Sequence, residues 1–179
     1  MTIETPRLRL RPLRDVDIEP WVTMFTNAEV TQYITPEPLS RETVEEASAR
    51  YRDLLATTGY GWWAIELKDD ASFAGVILLR EVGFSAVFTP AVEVGWDLLP
   101  AYWGHGYATE GARAALDYAF TVRKLDEVVA LTAAVNVRSQ RVMERLGMTH
   151  DPVDDFDAPY LPEGPLQRAV LYRMKRPVS

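Results

Sequence analysis

The sequence has no cysteine and only two histidines, His105 and His150. The first absence excludes a disulfide scaffold and a thiolate nucleophile. The second leaves poor material for a zinc centre, which draws its ligands mainly from imidazoles and thiolates, so no metal is expected. Positive charge is scarce too: 19 Lys and Arg stand against 26 Asp and Glu, a formal net charge of −7. General nucleic-acid binding needs a basic surface to neutralise phosphates and is not expected, although a local phosphate site stays open. No apolar run reaches the ~18 residues of a membrane-spanning helix. The N-terminus interleaves Arg7, Arg9, Arg11 and Arg14 with apolar residues, unlike the uninterrupted apolar stretch of a secretory signal. The expected setting is therefore the cytoplasm, with no membrane partner. Repeats and low-complexity tracts are missing, and the turn-rich stretches Thr35 to Ser40 and His150 to Pro165 are too short to be interdomain linkers. One domain over residues 1–179 is expected.

What remains is an ordinary globular composition, 47% hydrophobic and 25% charged. A chain of this size buries roughly 70% of the surface it exposes when unfolded, so it folds without staples. Leu8 and Leu10 alternate with arginines as in a half-exposed strand, and Asp15 or Asp17 can cap a helix through Trp21 and Phe25. A short helix near Asn27 follows. Ser40 suits the N-cap of a longer helix carrying Val44, Ala47, Tyr51, Leu54 and Leu55, with Gly59 to stop it. Trp62–Leu67 and Phe73–Leu79 read as a hairpin across Lys68–Ser72, and Ala91–Leu98 as a third strand. After Pro100 comes a glycine-rich turn and a helix striped by Ala108, Ala112, Ala115, Leu116, Ala119 and Phe120. Glu127–Ala133 is a strand, Ser139–Leu146 a helix ended by Gly147, and Ala169–Met174 the last strand. Early antiparallel pairing and later helical crossover imply an α/β (α+β) chain, with a mixed central sheet and helices on both faces.

Chemistry concentrates at Trp103-Gly104-His105-Gly106-Tyr107-Ala108-Thr109-Glu110, between a strand and a helix start. Glycines allow close backbone approach, and the unused N–H groups of a first helical turn favour an anion such as a pyrophosphate. The same residues can also be a plain strand-to-helix turn. There is no Lys followed by Ser or Thr as a nucleoside-triphosphate loop needs, and no third glycine in dinucleotide spacing.

This segment resembles the acetyl-CoA loop of the GNAT superfamily, in its RimJ/RimL-type branch, whose pattern is Arg or Gln, two residues, Gly, any residue, Gly or Ala. Gly106 and Ala108 fill the last two positions, and Trp103 replaces the Arg or Gln, a departure that the branch tolerates. The resemblance runs from Glu4-Thr5-Pro6-Arg7-Leu8-Arg9-Leu10-Arg11 through Gly75 and Glu93-Val94-Gly95-Trp96 to Val170-Leu171-Tyr172-Arg173. It implies the GNAT fold and an N-acetyltransferase that moves an acetyl group from acetyl-CoA, as cosubstrate, to a primary amine by direct attack in a ternary complex. A CoA-binding sensor or interaction domain without turnover is the alternative. Which amine is used, and whether the chain forms a homodimer, stay open.

The resemblance also implies roles for individual residues. Backbone groups around Leu98 and Leu99 bind the pantetheine arm where the strand splays from its neighbour. Asn136 and Ser139, in Asn136-Val137-Arg138-Ser139, match a second acetyl-CoA motif. Asn136 caps the helix, contacts the pantetheine, or does both. Ser139 is a first-turn polar residue or the donor to the departing thiolate. Arg138, Arg141 and Arg145 form a solvated face or reach phosphate, and His105 carries the same ambiguity. An amine attacks only when neutral, so a proton acceptor is required. Glu93 matches the family position of that base, though a strand glutamate can simply face solvent. Its alternation partners are Gly95 and Asp97. Trp62, Trp63, Trp96 and Tyr102 are core aromatics or line an amine pocket; Asp154, Asp155 and Asp157 attract a cation or merely solubilise a loop.

Overall fold

Apolar alternation and helix-capping residues set most of the element boundaries. The computed structural model describes residues 1–37 and 39–177; Pro38, inside the turn read from Thr35 to Ser40, lies outside the described residues. The elements in chain order are β1 (Ile3–Glu4), β2 (Leu8–Pro12), α1 (Ile18–Phe25), α2 (Ala28–Thr31), α3 (Arg41–Thr58), β3 (Gly61–Leu67), β4 (Phe73–Glu81), β5 (Val92–Leu98), α4 (Tyr107–Thr121), β6 (Glu127–Ala133), α5 (Val137–Leu146), β7 (Thr149–His150), β8 (Phe156–Asp157) and β9 (Arg168–Lys175). No helix among the described residues is long and apolar enough to cross a membrane.

Capping fixes the helix ends. The Ser40 hydroxyl accepts the Thr43 N–H at 3.2 Å, and Gly59 closes α3 in the left-handed region, where a side chain is strained. Asn27 caps α2 by accepting the Glu29 N–H at 2.8 Å. Asp17 accepts the Arg14 N–H at 2.7 Å, in a 3-10 turn that leads into α1. Its carboxylate also grips Arg11 at 2.6 and 2.8 Å. This corrects one expectation, because β2 is interior rather than half-exposed: Arg11 is only 3% exposed, flanked by β1 and β3. Its charge is tolerable there because Asp17 and Glu66 both meet it.

The sheet runs β1-β2-β3-β4-β5-β6-β9-β7, with β8 also on β9. Every pairing is antiparallel except β5 with β6, which is parallel and holds one register pair, Glu93 with Val129. On its other side β5 stays paired with β4 from Val92 to Leu98. The sheet is therefore split beyond Glu93, toward the C-terminal ends of β5 and β6. Side chains alternate into two cores. Trp63, Ile65, Ile77, Leu79 and Val94 pack under α4 and α5. Trp62, Ala64, Val76 and Leu78 pack under α1 to α3. The mixed sheet with helices on both faces is the architecture expected.

Candidate active site

A groove of about 1260 Å³ follows the end of β5 and the first turns of α4 and α5. Small-molecule sites typically hold roughly 300–1,000 Å³, so this one suits a longer ligand. Its wall includes Trp96, Asp97, Leu98, every residue from Tyr102 to Glu110, Asn136 and Ser139. The sequence elements expected to bind acetyl-CoA thus meet in one place, with the exception of Leu99.

The loop is shaped by its glycines. Gly104 and Gly106 have φ of 80° and 81°, and a Cβ built on Gly104 meets no atom within 4 Å. Gly106 is the N-cap of α4 and offers no side chain to cap it. The first N–H to reach back along the helix is that of Glu110, to the Gly106 carbonyl at 3.0 Å. The preceding N–H groups are thereby left for a ligand. These features fit a pyrophosphate, and Arg7, Arg113, Arg138, Arg141 and Arg145 line the same groove.

A knot from the start of the chain holds this loop. Arg7 donates from Nη1 to the His105 carbonyl at 2.9 Å and from Nε to Glu110 Oε2 at 2.7 Å. Glu110 Oε1 accepts the Arg7 N–H at 2.9 Å and the Thr5 hydroxyl at 2.7 Å. Burial pushes the Glu110 carboxyl up, but these bonds and the Arg7 charge more than offset it, and the group lies below the usual carboxylate range. The Arg7 guanidinium also sits 4.7 Å from the Tyr107 ring centroid, and the exposed His105 ring stacks on Tyr107. None of this was read from the sequence.

Trp103 explains its own place in the loop. Its indole N–H donates to the Leu98 carbonyl at 2.8 Å, tying the loop to the end of β5. The Arg138 guanidinium lies 4.8 Å over its ring, so a cation returns to this corner from α5. Leu99 departs from expectation: its N–H is used by the Ala74 carbonyl at 3.0 Å, and its side chain packs on the core under α1 to α3. Leu98 lines the groove, but its carbonyl is taken by Trp103. The Leu99 N–H is therefore not free for a pantetheine, whereas the Leu98 carbonyl keeps one lone pair.

At the start of α5, Asn136 Oδ1 accepts the Ser139 N–H at 3.2 Å, and Asn136 Nδ2 donates to Thr132 Oγ1 at 3.0 Å. One amide N–H is left over. The Ser139 hydroxyl has no hydrogen-bond partner among the described residues and faces the groove.

The carboxylates of β5 behave differently from one another. Glu93 is buried, takes the Arg80 Nε–H at 2.6 Å, and is not part of the groove wall. Asp97, two positions along the same face, is. Burial pushes the Asp97 carboxyl up to about 7; Arg80 pulls it down and Glu93 adds to the rise. Of the aromatics, Trp62 and Trp63 are core, whereas Trp96 and Tyr102 line the groove. Asp154, Asp155 and Asp157 are paired with Arg173, His150 and Arg168. They lie outside the groove wall. Alternation had put Asp97 beside Glu93, but it takes the groove and the Arg80 contact to distinguish the two.

A split mixed sheet with a glycine loop opening a helix beside the split makes a long groove suited to a phosphate-bearing ligand. The family model described as Acetyltransferase (GNAT) domain matches residues 7–149. The chain is similar to Uncharacterized N-acetyltransferase YoaA of Bacillus subtilis, 29% identical with 84% of each chain covered. It is similar also to FsC-acetyl coenzyme A-N(2)-transacetylase of Aspergillus fumigatus, 29% identical over 98% of this chain and 76% of that protein. A crystal structure of a GNAT-family acetyltransferase from Bacillus anthracis superposes with a TM-score of 0.80 at 25% identity, covering 98% of this chain and 99% of that one. The chain belongs to the GNAT acetyltransferase family and is an acetyl-CoA-dependent N-acetyltransferase.

Proposed function

We propose that the enzyme acetylates a primary amine by direct attack, with amine and acetyl-CoA bound together and no covalent enzyme intermediate. The observation that carries this reading is the groove itself. One continuous cavity joins the arginines and glycine loop suited to phosphates to a carboxylate, Asp97, and a hydroxyl, Ser139, that have no hydrogen-bond partner among the described residues. Bound acetyl-CoA supplies an acetyl carbonyl activated as a thioester. The residues proposed to hold it are Trp103, Gly104, His105, Gly106, Tyr107, Ala108 and Thr109 around the phosphates, with Asn136 and Leu98 along the arm. Preorganised N–H donors of this kind need no rearrangement on binding. Ser139 stands ready to give a proton to the leaving sulfur. Glu93 is engaged by Arg80, so in this proposal it shapes the local field and does not itself touch the amine. The name of the fungal relative, FsC-acetyl coenzyme A-N(2)-transacetylase, supports acetyl transfer to a nitrogen. Thiol release from acetyl-CoA, measured across peptides with free α-amines, polyamines, amino acids and aminoglycosides, tests the reading. Release above the hydrolytic background with one class identifies the acceptor. Coenzyme binding without release from any amine would instead establish a binding domain.

A further inference from the structure

The groove reaches both faces of the sheet. Asp97 pairs across to Val76, which belongs to the core under α1 to α3 together with Val30 of α2. Glu29, Gln32 and Tyr33, on or just after α2, line the groove with Asp97. The arginines of α4 and α5 line it from the opposite face. Between β5 and β6 the pairing has stopped, so a ligand on one face can meet a ligand on the other. Charge near Asp97 is unbalanced. Arg80 of β4 is held by Glu93 of β5 at 2.6 Å, and Tyr51 of α3 adds to the field at Arg80. Tyr160, in the segment after β8, feels both Glu93 and Arg80. One cation thus faces two β5 carboxylates, with Glu29 of α2 a third acid on the groove wall. Asp97 accepts no hydrogen bond among the described residues.

From this arrangement we infer that Asp97 is the catalytic group that receives the acceptor's primary ammonium from the α2 side of the sheet and takes its proton. The inference rests on the reading of the enzyme as an amine acetyltransferase. In the step, an N–H bond of the ammonium breaks and its proton passes to an Asp97 oxygen. The freed nitrogen pair forms a bond to the acetyl carbon, and the C–S bond breaks with its electron pair on sulfur. The sulfur takes the second nitrogen proton by way of solvent or the Ser139 hydroxyl, and Asp97 returns the first to water. The near-neutral position of the Asp97 carboxyl matches that duty, since a base works best when poised close to the operating pH.

The test compares wild type, Asp97→Asn and Glu93→Gln with the best amine from the thiol-release panel, from about pH 5 to about pH 9, a span that brackets the Asp97 carboxyl. Asp97→Asn is expected to lower kcat/KM for the amine about a hundredfold near neutrality and to flatten the acidic limb of the profile, with KM for acetyl-CoA unmoved. Glu93→Gln is expected to keep that limb but shift it to lower pH, because the Glu93 charge helps Asp97 hold its proton. Thermal unfolding gives a readout independent of turnover. A carboxyl whose folded pKa is raised binds more protons folded than unfolded, so its contribution to stability falls as pH rises from about 4 toward 7. Asp97→Asn should therefore melt above wild type at alkaline pH and level with it near pH 4. An unchanged limb in Asp97→Asn, loss of the limb in Glu93→Gln, or melting curves that stay parallel across pH each overturn the proposal. Thiol release with no amine overturns the amine reading and this proposal with it, whereas release indifferent to Asp97→Asn overturns this proposal alone.

Discussion

Asn136 shows how one side chain can serve both fold and ligand. Its carbonyl oxygen caps α5 through the Ser139 N–H, while its amide nitrogen anchors to Thr132 with one N–H to spare. Asn136→Ala removes a cap and is expected to cost about 1 kcal/mol, seen as a lower melting temperature. It should also raise KM for acetyl-CoA, because Asn136 lines the groove and its second amide N–H has no partner among the described residues. A change in melting temperature with every kinetic constant intact would reduce the residue to a cap. Asn136 was legible because a capping residue declares itself within three positions of what it caps. Glu93 and Asp97 were not separable in that way. What distinguishes them is Arg80, thirteen residues before Glu93 and opposite it only through the β4–β5 register, together with the end of the β5–β6 pairing. Neither leaves a local mark in the sequence.

At the scale of elements, Gly106 and Gly75 do different work. Gly106 lets the chain turn into α4 with φ of 81°, and a branched side chain there is strained and stands between the helix N-terminus and its ligand. Gly106→Val is expected to fold and to bind acetyl-CoA at least tenfold more weakly by calorimetry, as loss of about 1.4 kcal/mol of binding energy requires. Unchanged affinity in a folded variant would move the phosphate site elsewhere. Gly75 serves packing instead. A Cβ on it would lie 2.2 Å from the Asp97 carbonyl oxygen and 2.7 Å from the Leu98 Cα, so Gly75→Ala must push β4 and β5 apart beside the catalytic carboxylate. Overpacking of this kind costs roughly 1–3 kcal/mol, and turnover should fall along with the melting temperature. A stable and fully active Gly75→Ala would show that the strand can shift without disturbing the site. Helix ends and long strands could be read from capping residues and periodicity. β1, β7 and β8 could not, because a two-residue strand has no period.

Over the whole molecule, the mixed sheet was legible from the order of its elements, but the way the chain's start closes on its middle was not. Thr5 and Arg7 meet Glu110 more than a hundred residues away, so the turn between β1 and β2 braces the loop that faces the phosphates. The sequence offered the participants as an N-terminal run of arginines and one glutamate in a helix's first turn, with nothing to say that they touch. Glu110→Gln keeps the shape, yet an amide nitrogen cannot accept from the Arg7 Nε–H and meets it donor to donor. The loss of charge-assisted bonds is expected to lower stability by about 1.5–3 kcal/mol. Because the Glu110 carboxyl is held below its ordinary value in the folded protein, that stabilisation is complete above the unfolded value of about 4.3. It disappears as pH falls through the lower folded value. Wild type and Glu110→Gln should therefore differ in melting temperature at neutral pH and converge in acid. A ligand at a hundred times its Kd stabilises the folded state by about 2.7 kcal/mol, so a loosened loop should also show a smaller thermal shift at a fixed acetyl-CoA concentration. Equal shifts and parallel melting curves would mean that the loop holds its shape through Gly104, Gly106 and Trp103 alone, with the N-terminal knot an ornament of the surface.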